Sequence, residues 1–119
     1  MARRSDWPGS LTPAAVHILV AIADEPRHGL AIADDIAQRT RGDVRMGPGT
    51  LYGTIKRLRE SSLIVDAPSP SDLPDSDPRR RYYAITPAGR RALARELQQM
   101  EWLVRAARAR GALRTEEAR

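Results

Sequence analysis

The sequence predicts a mainly α-helical fold with one small β-hairpin and a long carboxy-terminal helix. Three observations predict it. Apolar residues recur at helical spacing in four separate stretches. Thr12-Pro13 and Thr86-Pro87 each set an N-cap hydroxyl before a first-turn proline. A stretch rich in proline and aspartate, 66–78, is bracketed by two short β-prone runs. The length of 119 residues suits one small domain with a helical extension.

Residues 1–10 read as a flexible lead that contains Trp7. A first helix follows Thr12, with Ala15, Ile18, Leu19 and Ile22 on one face, and should stop near Asp24 ahead of Pro26. His28 and Gly29 form a short turn, where His28 has capping or packing to do. The second helix runs from about Leu30 to Thr40, with Ile32 and Ile36 inward and Gly42 as its terminator. After the rigid connector Gly47-Pro48-Gly49, a third helix starts at Gly49 or Thr50 and runs through Ser61. Leu51, Ile55 and Leu58 make its buried stripe. Tyr52, Thr54, Lys56, Arg57 and Arg59 should lie away from that stripe.

Leu63, Ile64 and Val65 read as a strand, and Arg79 to Thr86 as its return partner, with Tyr83 and Ile85 on one face and Tyr82 and Ala84 on the other. A hairpin placed after two short, closely joined helices makes a winged helix-turn-helix, expected over residues 11–86. The fourth helix spans 87–110, and 111–119 should fray. On that helix Leu93, Leu97, Met100, Val104 and Ala107 repeat at steps of four and three. The stripe outruns what a three-helix core can cover, so it calls for a second copy of the chain.

Composition excludes several classes. Without cysteine there is no disulfide scaffold, thiol nucleophile or thiolate zinc site. Two histidines and no metal-binding spacing argue against a metal, and no cofactor motif is present. The Gly47-Pro48-Gly49 segment lacks the lysine and hydroxyl pair of a phosphate loop. No catalytic constellation is recognisable, so the chain is not expected to be an enzyme. No apolar run reaches membrane-spanning length, which predicts a cytoplasmic protein, associated with the nucleoid when on DNA.

The net charge is +5, and its placement is informative. Residues 44–59 carry four basic groups and no acid, whereas 66–78 carry four aspartates and no basic group. Arg79, Arg80 and Arg81 follow at once. Two basic segments separated by an acidic loop suit two phosphate-contacting elements beside a groove. The candidate DNA contacts are therefore Arg45, Thr50, Tyr52, Thr54, Lys56, Arg57, Arg79, Arg80 and Arg81. Thr50 and Thr54 are expected near base edges, because a recognition helix enters the major groove amino end first. The alternative for Tyr52 is simple packing against the wing. The alternative for the whole chain is a winged-helix protein-interaction module that does not bind DNA specifically.

Gly47-Pro48-Gly49-Thr50-Leu51-Tyr52, with Leu63-Ile64, His28-Gly29, Arg80-Arg81-Tyr82-Tyr83 and Thr86-Pro87-Ala88-Gly89, closely resembles the PadR family of bacterial transcriptional regulators, in its short subtype. The resemblance implies a homodimer that represses a nearby operon from a palindromic double-stranded DNA operator. It implies dimerisation through the helices of Thr12 to Ala23 and Pro87 to Arg110. It also implies relief by a small hydrophobic or aromatic effector, for which Trp102 is the candidate contact, although the heptad count puts Trp102 off the seam. One departure stands out: many members have glycine where this chain has Ser62, which matters if that residue takes a positive φ.

Overall fold

The computed structural model describes residues 10–69 and 80–113. Helix α1 (Pro13–Ala21) begins as expected, with the Thr12 Oγ1 accepting the Ala15 N–H at 3.1 Å. It stops before Asp24, and Ile22 is its C-cap. Arg27 reaches back so that its Nε donates to the Ala21 carbonyl at 2.7 Å. That side chain satisfies a terminal carbonyl which another helical turn would otherwise have served.

Arg27–His28 forms a short strand, β1, instead of a simple turn. Strands β2 (Ile64–Ala67) and β3 (Tyr82–Ile85) complete an antiparallel sheet in the order β1-β3-β2. The expected hairpin is thus part of a three-stranded sheet, with Arg27 opposite Tyr83 and His28 opposite Tyr82. Leu63, expected inside the first wing strand, precedes it. The return strand is also shorter than Arg79 to Thr86. Tyr82 and Tyr83 are both buried, one on each face of the sheet.

His28 ends β1 and caps helix α2 (Gly29–Arg39): its Nδ1 accepts the Ala31 N–H at 3.2 Å. The capping role read from the sequence is therefore present. At the other end Arg41, at φ 53°, takes the first left-handed position, and Gly42 is only the second. Their N–H groups bond to the carbonyls of Gln38 and Ala37, closing the helix in a Schellman motif. Helix α3 (Pro48–Glu60) is capped by Gly47, one or two residues earlier than expected, because Pro48 already has the φ of a first helical turn. It ends in the same way as α2, but on Ser62, which sits at φ 62°. The Ser62 N–H bonds to Arg59 O at 3.0 Å and the Leu63 N–H to Leu58 O at 2.9 Å.

Helix α4 (Pro87–Ala109) starts from a tightly bonded corner. The Thr86 hydroxyl donates to Ser62 O at 2.7 Å and accepts the Gly89 N–H at 3.0 Å. The Thr86 N–H donates to Leu63 O at 3.1 Å. A Cβ on Gly89 would lie 2.1 Å from that same Leu63 oxygen, so only glycine lets α4 come this close. Helix α1 packs against α2, α3 and α4. Ile18, Leu19, Ile22, Ile32, Ile36, Ile55 and Leu58 are the largest fully buried side chains and fill the centre between the first three helices.

This corner yields opposite predictions for two substitutions. A left-handed residue other than glycine costs roughly 1–2 kcal/mol, and glycine's extra freedom in the unfolded chain returns about 0.4–1 kcal/mol of that. Ser62→Gly should therefore raise stability in denaturant melts by up to about 1.5 kcal/mol. Gly89→Ala should lower it by roughly 1–3 kcal/mol through overpacking against the Leu63 carbonyl, although alanine is the better helix former.

Candidate nucleic-acid interface

Helix α3 divides cleanly along its length. Leu51, Ile55 and Leu58 are buried in the core, as their spacing predicts. Thr54 joins them at 9% exposure, against the expectation that it faces outward. The reason is angular: Thr54 lies three residues after Leu51 and four before Leu58, so it shares their face. It is removed from the outward surface where base edges would be met. The exposed residues of α3 are Pro48, Gly49, Thr50, Tyr52, Gly53, Lys56, Arg57, Arg59 and Glu60.

Tyr52 is half exposed, and its ring is anchored. A Cβ on Gly29 would meet the Tyr52 hydroxyl at 2.3 Å, so the ring lies directly over the start of α2. The ring thus packs on α2, where the sequence offered packing against the wing as the alternative. Tyr52, Ile55, Lys56, Arg59, Glu60 and Tyr83 line an open cleft of about 380 Å³ between α3 and the sheet. Burial pushes the Tyr83 phenol above the usual tyrosine range, while the nearby Arg81 guanidinium pulls it down.

The arginines differ in their surroundings. Arg81 donates to Asp66 Oδ2 at 3.1 Å, and Arg59 approaches Asp66 Oδ1 at 3.6 Å. Arg81 is therefore engaged by a carboxylate, which the charge pattern alone did not show. Arg80 Nη1 stands 3.3 Å from His28 Nε2. Because His28 accepts through Nδ1, its neutral ring carries the proton on Nε2, so this contact sets two donors side by side. Arg45 folds back over the α2 terminus, with a guanidinium nitrogen 3.3 Å from where a Gly42 Cβ would be. Arg79 and Trp7 lie outside the described residues.

Helix α4 carries the second surface. Leu93 is buried within its own domain at 7% exposure, so it belongs to the chain's own core rather than to the outer seam. Leu97, Met100 and Val104 are exposed, and together with Glu101, Arg105 and Arg108 they line a shallow groove of about 530 Å³. Ala107 is half-buried one turn further on. Leu103, at 70% exposure, borders the same stripe three residues after Met100. The heptad steps passed over it, although an i, i+3 search from Met100 finds it. Trp102 is exposed and falls on the other side of α4 from Met100 and Val104.

Among the described residues no group of three or more histidine, aspartate or glutamate side chains could hold a metal ion. No helix among them is long and apolar enough to cross a membrane.

Comparison with known proteins identifies a family. The transcriptional regulator PadR-like family matches residues 18–95. The Transcriptional regulator Rv3488 of Mycobacterium tuberculosis is 37% identical over 90 residues, covering 76% of this chain and 78% of that protein. An uncharacterised 37.1 kDa protein in transposon TN4556 of Streptomyces fradiae is 38% identical over 87 residues, which is 73% of this chain. The match spans only 23% of that longer protein. The crystal structure of a PadR family transcription regulator from Clostridium difficile superposes with a TM-score of 0.66 at 23% identity, over 79% of this chain and 93% of that one, and so shares the fold. With the helix-turn-helix, the wing and the long final helix all in place, the chain belongs to the PadR-like family of DNA-binding transcriptional regulators, which are not enzymes.

Proposed function

We propose that the protein is a homodimeric repressor that reads a palindromic operator with α3 and whose hold on DNA is relieved by a small hydrophobic or aromatic effector. The division of α3 carries this reading. Its inner face is committed to the core, which leaves Thr50, Tyr52, Lys56, Arg57 and Arg59 as its outward vocabulary of hydroxyls and cations, Arg59 being paired with Asp66. Thr50 lies in the first turn, where a recognition helix meets base edges. Lys56 and Arg57 come later, in reach of the phosphate backbone, and Arg80 extends from the wing beside the α2 amino terminus. At the middle of the outward face Gly53 has nothing within 4 Å of where its Cβ would be. Glycine costs about 1 kcal/mol in a helix and brings this fold no packing in return. A bare backbone there suits close approach to the groove.

Dimerisation would follow from α4. Leu97, Met100, Leu103 and Val104 form an apolar stripe that nothing within the described chain covers, and two such helices related by a two-fold axis would cover each other. The two-fold axis would make the operator palindromic, since each α3 would meet one half-site. Trp102, exposed on the far side of α4, offers an indole for an aromatic effector to stack on.

Light scattering at micromolar concentration should give near twice the chain mass, and Leu97→Glu should shift it toward the monomer, because an unpaired charge in an apolar interface is costly. A monomeric wild type contradicts the dimer. For DNA reading, wild type and variants are compared on a duplex selected from a random pool and on the unselected pool. Thr50→Ala should cost about 1–3 kcal/mol of discrimination. Lys56→Ala should weaken both duplexes alike and flatten the salt slope by about one unit. Gly53→Ala should melt higher yet bind the selected duplex more weakly. Full discrimination in the Thr50 variant means that α3 is not the reader, and a wild type without preference favours a protein-interaction module.

A further inference from the structure

Asp66 stands on β2, an edge strand of the sheet, directly opposite Tyr83 on β3. Its two carboxylate oxygens go to arginines on two different elements. Oδ2 accepts from Arg81, just before β3, and Oδ1 faces Arg59 in the last turn of α3. The carboxylate therefore ties the recognition helix to the wing at the rim of the cleft that Tyr52, Lys56 and Tyr83 line.

The arrangement is not explained by stability. All three side chains are substantially exposed, and exposed ion pairs of this kind add little to folding. An acid on an edge strand can also deter pairing with another strand, but that purpose does not require both oxygens to be used by arginines. In a DNA-binding protein the cost of such a residue is specific. It adds one negative charge to a surface that meets phosphate, and it occupies two guanidinium groups that would otherwise be available to any duplex.

Resting on the reading of α3 and the wing as the DNA-binding face, we infer that Asp66 is a positioning residue that restrains generic DNA affinity in favour of discrimination. By holding Arg59 and Arg81 toward each other, it keeps two strong phosphate ligands from engaging any backbone indiscriminately. The contacts that remain, from Thr50 and Lys56, then weigh more in the choice of sequence. Specificity is a difference of affinities, and a fixed carboxylate that weakens the competing complex increases it as effectively as a new base contact.

The test is Asp66→Asn, an isosteric change that removes the charge. Binding is measured across a salt series on the selected duplex and on the unselected pool, with thermal melting alongside. Melting should be nearly unchanged. Affinity for the unselected pool should rise several-fold at low salt, and its salt slope should steepen by about one to two units as the arginines find phosphates. The preference for selected over unselected DNA should fall. Adding Arg81→Ala to Asp66→Asn should return the slope part of the way to wild type. An unchanged slope on the unselected pool, or an equal loss of affinity on both duplexes, overturns the role assigned to Asp66. If the wild type shows no sequence preference, the reader assignment fails instead, and the slope on the unselected pool still decides the case of Asp66.

Discussion

The carbonyl of Leu63 is the point on which the arrangement of this fold depends. It accepts the Thr86 N–H, and it occupies the space in which a side chain on Gly89 would have to sit. Leu63 follows the left-handed Ser62 that ends α3, leads into β2, and lies against the first turn of α4. Thr86 binds the same corner a second time through its hydroxyl, while that oxygen also caps α4. The end of the recognition helix, the root of the wing and the start of the long helix are thus fixed to one another within a few residues. α4 therefore has a short covalent and hydrogen-bonded route to α3.

The amino end of α3 is placed by a different contact. The Tyr52 ring lies over Gly29, where α2 begins, and His28 joins α2 to the sheet by capping the helix and pairing with Tyr82. The His28 and Tyr82 rings meet edge to face at 5.3 Å. The helix-turn-helix and the wing are therefore one unit. The same residues that hold the unit together, His28 and Tyr52, border the face on which the exposed cations stand. Electrostatics then divides the basic residues: Arg81 and Arg59 share Asp66, Arg80 stands beside His28, and Lys56 is exposed on α3.

Much of this was legible from residue order. The N-caps at Thr12 and Thr86, the core stripe of α3 and the overhanging stripe of α4 follow from helical periodicity and hydroxyl-proline pairs, which are local signals. The departures have physical causes of another kind. Strand β1 is two residues long and exists only because β3 lies beside it, so no alternation marks it. A stripe counted as Leu51, Ile55 and Leu58 alone leaves Thr54 on a neighbouring face, yet its angle on the helix sets its burial, and a threonine methyl tolerates the core. Leu93 fits the heptad, yet it lies close enough to the domain body to be covered there. The engagement of Arg81 by Asp66 spans fifteen residues and is set by strand register, which charge counting cannot see. Ser62 takes a positive φ, 62°, at the position where a glycine would carry no steric cost.

The outward face of α3 is proposed to give this protein a sequence preference beyond its positive charge. The most direct measurement is the salt dependence of wild-type binding to a duplex enriched from a random pool and to the unenriched pool. Both curves should fall steeply with salt, because phosphate contacts supply much of the affinity. The enriched duplex should stay tighter throughout, by a factor that changes little with salt, since base contacts release few ions. Two curves that coincide at every salt concentration would contradict the account and leave only a basic surface.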